Sequence, residues 1–134
     1  MNKFTLSLLL AVLPLCGVVS HTMINYHRCP GALEENRTPV VFGFVYACSH
    51  LDTEFKGVTT SVDKHGTITV CVLMDGCHAT IVIENDSGTC FIDFFSSRED
   101  IKVDQFKKFF DDYLHAESVK KLHVNRDKTF SFSA

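Results

Sequence analysis

The chain has 134 residues, 46% hydrophobic and 22% charged, with a formal net charge of -3 and six cysteines. A single domain's length with an ordinary apolar fraction excludes wholesale disorder, and the mildly acidic balance lacks the electrostatic footprint of a dedicated nucleic-acid binder. Collagen-like, heptad and solenoid-like periods are missing from the sequence.

The first element in chain order is a secretory signal peptide over 1–20. Lys3 supplies a positive start, Leu6 to Val19 form an apolar run interrupted by Pro14 and Gly17, and Ser20 is a small residue at the expected cut. That run is too short for a membrane anchor and no second one follows, so the expected product is a secreted, extracellular domain over 21–134 with no membrane association. Losing the leader removes only Lys3 among the charges and leaves 12 basic and 16 acidic residues.

Residues 21–37 are polar and contain Pro30-Gly31, which predicts a short strand and then a loop. A helix over 39–56 follows, with Thr38 as N-cap and Pro39 at the first helical position. Val41, Phe44, Cys48, Leu51 and Phe55 keep three-to-four spacing, and Gly57 supplies a stop.

The centre of the chain predicts an antiparallel meander over about 58–95. Asp75-Gly76 is a two-residue hairpin turn, which pairs Val72 with Ala79, Val70 with Ile81 and Ile68 with Ile83. A turn at Lys64-His65-Gly66 pairs Val62 with Ile68, Thr60 with Val70 and Val58 with Val72. The loop from Asn85 to Gly88 pairs Ile83 with Cys90, Ile81 with Ile92 and Ala79 with Phe94. All three turns select one buried face, and a one-residue slip in any of them destroys the match.

Ser96 to Val103 carries N-cap candidates for a second helix over about 103–117. Phe106, Phe109, Phe110, Tyr113 and Leu114 form its apolar stripe, read as packing. Val119-Leu122-Val124 and Thr129-Phe130-Phe132 flank Asn125-Arg126-Asp127-Lys128 and predict a final hairpin. The fold class is α+β: the meander packed against a helix, with a second helix and a hairpin at the C-terminus.

Cys16 leaves with the leader, so Cys29, Cys48, Cys71, Cys77 and Cys90 remain in an oxidising compartment, an odd number. No pair has zinc-type spacing, and no metal or cofactor is expected. By strand parity Cys77 and Cys90 share the buried face while Cys71 lies on the other, which forbids a Cys71–Cys77 bond. Cys48 is within reach of Cys77 or Cys90. The preferred bond is Cys29–Cys90, the second candidate is Cys48–Cys77, and Cys71 remains as the free thiol. Asn36 and Asn85 begin glycosylation sequons, the first weakened by Pro39.

The outer face of the meander collects His78, Thr80, Asp93, Glu84, Thr67 and Thr69. Histidine and carboxylates on one face are the raw material of general acid–base catalysis, here His78 with Asp93 or Glu84. Asp93 falls one diagonal step from His78, but Glu84 is six residues along, roughly 20 Å at about 3.3 Å per residue. No arginine falls on these strands, since Arg28, Arg37, Arg98 and Arg126 are placed in loops or turns. A solvated, threonine-rich strand face explains the same residues, and it is the reading preferred. Phosphate loops, nucleophile elbows and paired-histidine zinc motifs are not found in the sequence. Lys120, Lys121, Arg126 and Lys128 make a small basic cluster, read as a solubility feature.

Tyr26-His27-Arg28-Cys29 soon after a leader, then a loop and an apolar helix near Pro39, resembles the RNase-like secreted effectors of powdery mildew fungi. Cys90 in Gly88-Thr89-Cys90-Phe91 fills that family's late cysteine position, which pairs back to the first. The similarity covers residues 26–95. It departs at His27, where the family has its aromatic, and in 96–134, which have no counterpart. The resemblance implies one helix on an antiparallel sheet and loss of the ribonuclease residues. The expected function is a secreted, non-catalytic, effector-type protein that binds a host protein or RNA, outside the host cell or translocated into it. Two alternatives are a secreted ribonuclease and an extracellular structural or defence protein dimerising through Cys71; the chain is otherwise a monomer.

Overall fold

In a computed structural model of the protein, the described residues are 19–51, 53–97, 103–126 and 131–133, the last three as backbone. Most of the expected leader, the N-cap candidates at 98–102 and the hairpin turn at 127–130 lie outside them. Seven strands form one antiparallel sheet: β1 (Val19–His27), β2 (Phe55–Val62), β3 (Ile68–Met74), β4 (Cys77–Ile83), β5 (Cys90–Ser96), β6 (Ser118–Arg126) and β7 (Ser131–Ser133), in spatial order β2-β3-β4-β5-β1-β6-β7. Two helices, α1 (Arg37–Ser49) and α2 (Val103–Leu114), pack on one side of it. The result is a two-layer α+β fold, as expected.

The meander has the register read from its turns. Val72 faces Ala79, Val70 faces Ile81 and Ile68 faces Ile83; Val62, Thr60 and Val58 face Ile68, Val70 and Val72. Ile83, Ile81 and Ala79 face Cys90, Ile92 and Phe94. Gly66, Gly76 and Gly88 all have positive φ, the left-handed conformation those turns demand. Val70, Val72, Ala79, Ile81, Ile83, Ile92 and Phe94 are buried under the helices. Burial stops short of β2, where Val58 is 46% and Val62 66% exposed. The expected apolar match is present there, but the sheet extends beyond the helix layer.

Three expectations are corrected. Residues 21–27 are the core of a nine-residue strand, not a short one before a loop, and β1 sits between β5 and β6. Its alternation is visible in hindsight: Thr22, Ile24 and Tyr26 are buried, while His21, Met23 and Asn25 face the other way. The first helix runs Arg37–Ser49, not 39–56. Two short 3-10 turns lead straight into it, and the Asn36 amide donates to the Pro30 carbonyl (3.3 Å) rather than capping. Phe55 belongs to β2 opposite Met74, and Gly57 flanks a register shift in that strand. The second helix ends at Leu114, where His115 takes positive φ.

Phe44 of α1 meets Phe106 and Phe110 of α2 at ring-centroid distances of 5.6 and 6.1 Å, and Phe94 of the sheet closes on Phe106 at 6.0 Å. Tyr26 is fully buried beneath α2, and its hydroxyl donates to Asp111 Oδ1 at 2.8 Å. Burial and that carboxylate together drive the Tyr26 phenol well above its ordinary value. Phe109 and Tyr113, expected as packing, are 42% and 37% exposed and stack on each other at the rim of α2.

Candidate functional site

Both helices bury their apolar sides against the same sheet face, so strand parity leaves the opposite face without a covering layer among the described residues. Adjacent strands place its side chains in rows. One row runs Leu73, His78, Phe95, His21 and Val124; the next runs Cys71, Thr80, Asp93, Met23 and Leu122. His78 stacks on Phe95 (4.9 Å between centroids, 17° between planes), and His21 meets the same ring edge-on at 6.1 Å. The Arg126 guanidinium lies over Phe95 at 5.7 Å, a cation–π contact. Leu73 and Leu122 are 52% and 39% exposed at the two sides of the face. Between Met23, Asn25, Phe91, Asp93, Lys120 and Leu122 lies an open depression of about 310 Å³.

The residues expected to supply acid–base chemistry are not brought together. His78 is held by its stack on Phe95. Asp93 faces Thr80, as expected, but the histidine beside it is His21, whose Nε2 stands 3.8 Å from Asp93 Oδ1. That separation exceeds a hydrogen bond. Glu84 lies at the far end of β4, where Ser87 Oγ donates to its Oε2 at 2.9 Å. Arg126 is corrected from a turn to the last residue of β6, which brings a guanidinium onto this face. Sequence reasoning missed His21 and Arg126 because β1 and β6 come from opposite ends of the chain. The signal that could have revealed His21 is the period-two pattern of 21–27. His123, also missed, is held on the helix side of the sheet: its Nδ1 is 2.9 Å from Thr22 Oγ1 and its Nε2 is 3.0 Å from Asn125 Oδ1.

No disulfide is present among the described residues. The structure does bring Cys29 and Cys90 together as buried thiols, Cys29 Sγ donating to the Tyr26 carbonyl at 3.4 Å and Cys90 Sγ to the Gly88 carbonyl at 3.6 Å; the neighbouring Cys29 and burial raise the Cys90 thiol above its ordinary value. Burial pushes the Cys48 thiol up to about 12, and the Cys77 and Cys71 thiols add to the effect. Cys71 is half-buried on the outer face opposite Thr80, away from Cys77, in agreement with the parity argument. Asn36 is exposed, whereas the Asn85 amide donates to the His65 carbonyl at 3.1 Å. Among the described residues no cluster of His, Cys, Asp and Glu has the arrangement of a metal site, and no helix is long and apolar enough to cross a membrane.

No known protein family matches the sequence, and no curated protein matches it. Among solved structures, the chain is similar to the adenosylmethionine decarboxylase from Aquifex aeolicus, with 13% identity and a TM-score of 0.62 over 80% of this chain and 88% of that one. The likeness establishes a shared fold. The fold is thus one that an enzyme uses, and the sequence does not share enough with it to carry an activity across.

Proposed function

We propose that the protein is a secreted, non-catalytic binding module of effector type, which engages a host protein through the open sheet face. The observation that carries this reading is that face itself: an apolar and imidazole-rich row from Leu73 through His78 and Phe95 to His21 that no described element covers, beside an Asp93 carboxylate that His21 approaches only to 3.8 Å. Its charges nearly balance, Asp93 and Glu84 against Lys120 and Arg126, which favours a protein partner over RNA. The sequence resemblance to RNase-like effectors supports the same class.

The test is affinity capture from host extract with wild type and with a Leu73→Asp/Leu122→Asp variant. Both leucines are exposed, so the variant keeps its fold. A partner enriched by wild type and lost with the variant supports the reading. A partner held equally by both, or RNA alone, overturns it.

A second reading, an enzyme, draws on the fold shared with a decarboxylase and on the His21–Asp93 couple lying on the open face. Release of carbon dioxide from adenosylmethionine, abolished by Asp93→Ala, establishes that reading. RNA cleavage by wild type but not by His78→Ala establishes the ribonuclease alternative instead.

A further inference from the structure

Among the described residues the sheet ends at β2, and nothing guards this edge. From Gly57 to Val62 the strand carries no charge and no proline, the usual devices that keep a sheet edge from pairing. The backbone directions follow from the hairpin. The Asp63 N–H donates to the Thr67 carbonyl, so the odd-numbered residues of β2 bond to β3. Val58, Thr60 and Val62 therefore point their N–H and C=O groups away from the sheet.

The same even-numbered residues place their side chains on the helix side, opposite Val72, Val70 and Ile68. Neither described helix covers them. Beside them stands α1, which runs back along β2, since Arg37 at its start donates to the Gly66 carbonyl in the β2–β3 turn. Its flank is apolar where water should be: Phe42 is 70% and Tyr46 64% exposed, with Phe55 of β2 at 42%. Phe42, Val45, Tyr46 and Phe55 line a groove of about 610 Å³. A helix apolar on all sides belongs in an interior.

We infer that the occupant of this edge is a second copy of the chain, paired antiparallel β2 to β2 across a two-fold axis at Thr60. In that register Thr60 meets Thr60 of the other copy and Val58 meets its Val62. All three positions then exchange hydrogen bonds, six in total, through groups that now face water. Valine meets valine on the helix side, the criterion of one apolar face that also governs the meander. The register sets Lys56 opposite Lys64 of the other copy, a like-charge contact; Glu54, 3.3 Å from the Lys56 ammonium, and Asp63 beside Lys64 offset it. With about 150–200 Å² per side chain, Phe42, Tyr46, Phe55, Val58 and Val62 expose on the order of 500 Å² per copy. Burying all of it on both copies gives about 1,000 Å², which places the pair at the weak, concentration-dependent end of specific interfaces. The axis is perpendicular to the sheet, so the two α1 helices flank the seam and close the groove from both sides. The dimer is non-covalent and separate from the face proposed above for a partner, and its Cys71 thiols take no part.

Sedimentation equilibrium of the secreted chain tests it. A concentration-dependent dimer is expected for wild type and for Cys71→Ser alike. Thr60→Pro removes an N–H that points to solvent and leaves the β2–β3 bonds in place. It should weaken the dimer by roughly 10–100-fold, from the loss of two hydrogen bonds. Val62→Lys, at a position 66% exposed, should do the same without core damage. Thr60→Cys in a Cys71→Ser background should form an intermolecular disulfide, because hydrogen-bonded partners lie about 5.5 Å apart between Cα atoms; Ser61→Cys should not. A monomeric wild type, or a dimer that survives both Thr60→Pro and Val62→Lys, overturns the inference.

Discussion

Oxidation of Cys29 and Cys90 is the perturbation with the largest expected effect on stability. Tyr26, three residues before Cys29, faces Cys90 across β1 and β5, and the backbone N–H of Cys29 donates to the Gly88 carbonyl at 3.3 Å. Both thiols are buried in this corner, Cys29 Sγ donating to the Tyr26 carbonyl at 3.4 Å and Cys90 Sγ to the Gly88 carbonyl at 3.6 Å. A bond between them closes a loop of about 60 residues. In the chain-entropy account that removes about 4 kcal/mol of freedom from the unfolded chain. For a domain of about 115 residues, each kcal/mol moves the midpoint by roughly 3–5 °C, so the oxidised protein should melt about 12–20 °C above the reduced one. The assay is thermal unfolding with and without reductant, beside Cys29→Ser and peptide mapping of the secreted chain. A Cys29–Cys90 link whose reduction lowers the midpoint by that margin is expected. Mapping that pairs either cysteine elsewhere, or a reductant effect that Cys29→Ser retains, refutes the reasoning.

Sidedness of α1 is tested by two phenylalanines two residues apart: Phe44→Ala should cost about 3–5 kcal/mol in denaturant unfolding, and Phe42→Ala at dilute monomer concentration within about 0.5 kcal/mol of zero; equal costs contradict the helix orientation. Gly88→Ala should cost at least about 2 kcal/mol, because φ is +68° and the added Cβ would stand 2.5 Å from the Cys29 carbonyl oxygen; an unchanged melting point contradicts that turn. Asp63 accepts the Thr67 and His65 N–H groups and is held below its ordinary value of 3.8. A depressed folded pKa means that its support for the β2–β3 turn is present above 3.8 and lost as pH falls through the folded value. The Thr67 amide resonance should therefore titrate with a midpoint below 3.8, and a midpoint at or above that contradicts the turn geometry.

Legibility in the sequence followed the range of the interactions. β3, β4 and β5 are joined by tight turns whose glycines mark them, and alternation then sets the register, so every pairing from Val58 to Phe94 was readable. β1 has no turn to announce it. Its partners lie in Cys90–Ser96 and Ser118–Arg126, and its buried positions include Thr22 and Tyr26, which look polar in a list but are satisfied by His123 and Asp111. The end of α1 was illegible because Val40 to Ala47 are apolar all round, so helical spacing continues numerically into Phe55 without a break. Exposure of Val58 and Val62 was illegible for another reason: alternation reports which side a residue takes, not whether anything covers that side. The candidate site inherits both problems. His78, Asp93 and their shared face were found, while His21 and Arg126, which decide what that face looks like, come from strands the turns do not reach.

The face opposite the helices is the proposed working surface. Acylation of histidine by diethyl pyrocarbonate, read by mass spectrometry, reports on it directly through His21 and His78. In the isolated protein His78, which is exposed, should react readily; with the captured partner bound, both should be shielded while His50 beside α1 reacts as before. Shielding of His50 with His21 and His78 unaffected would place the partner on the helix layer and contradict the account.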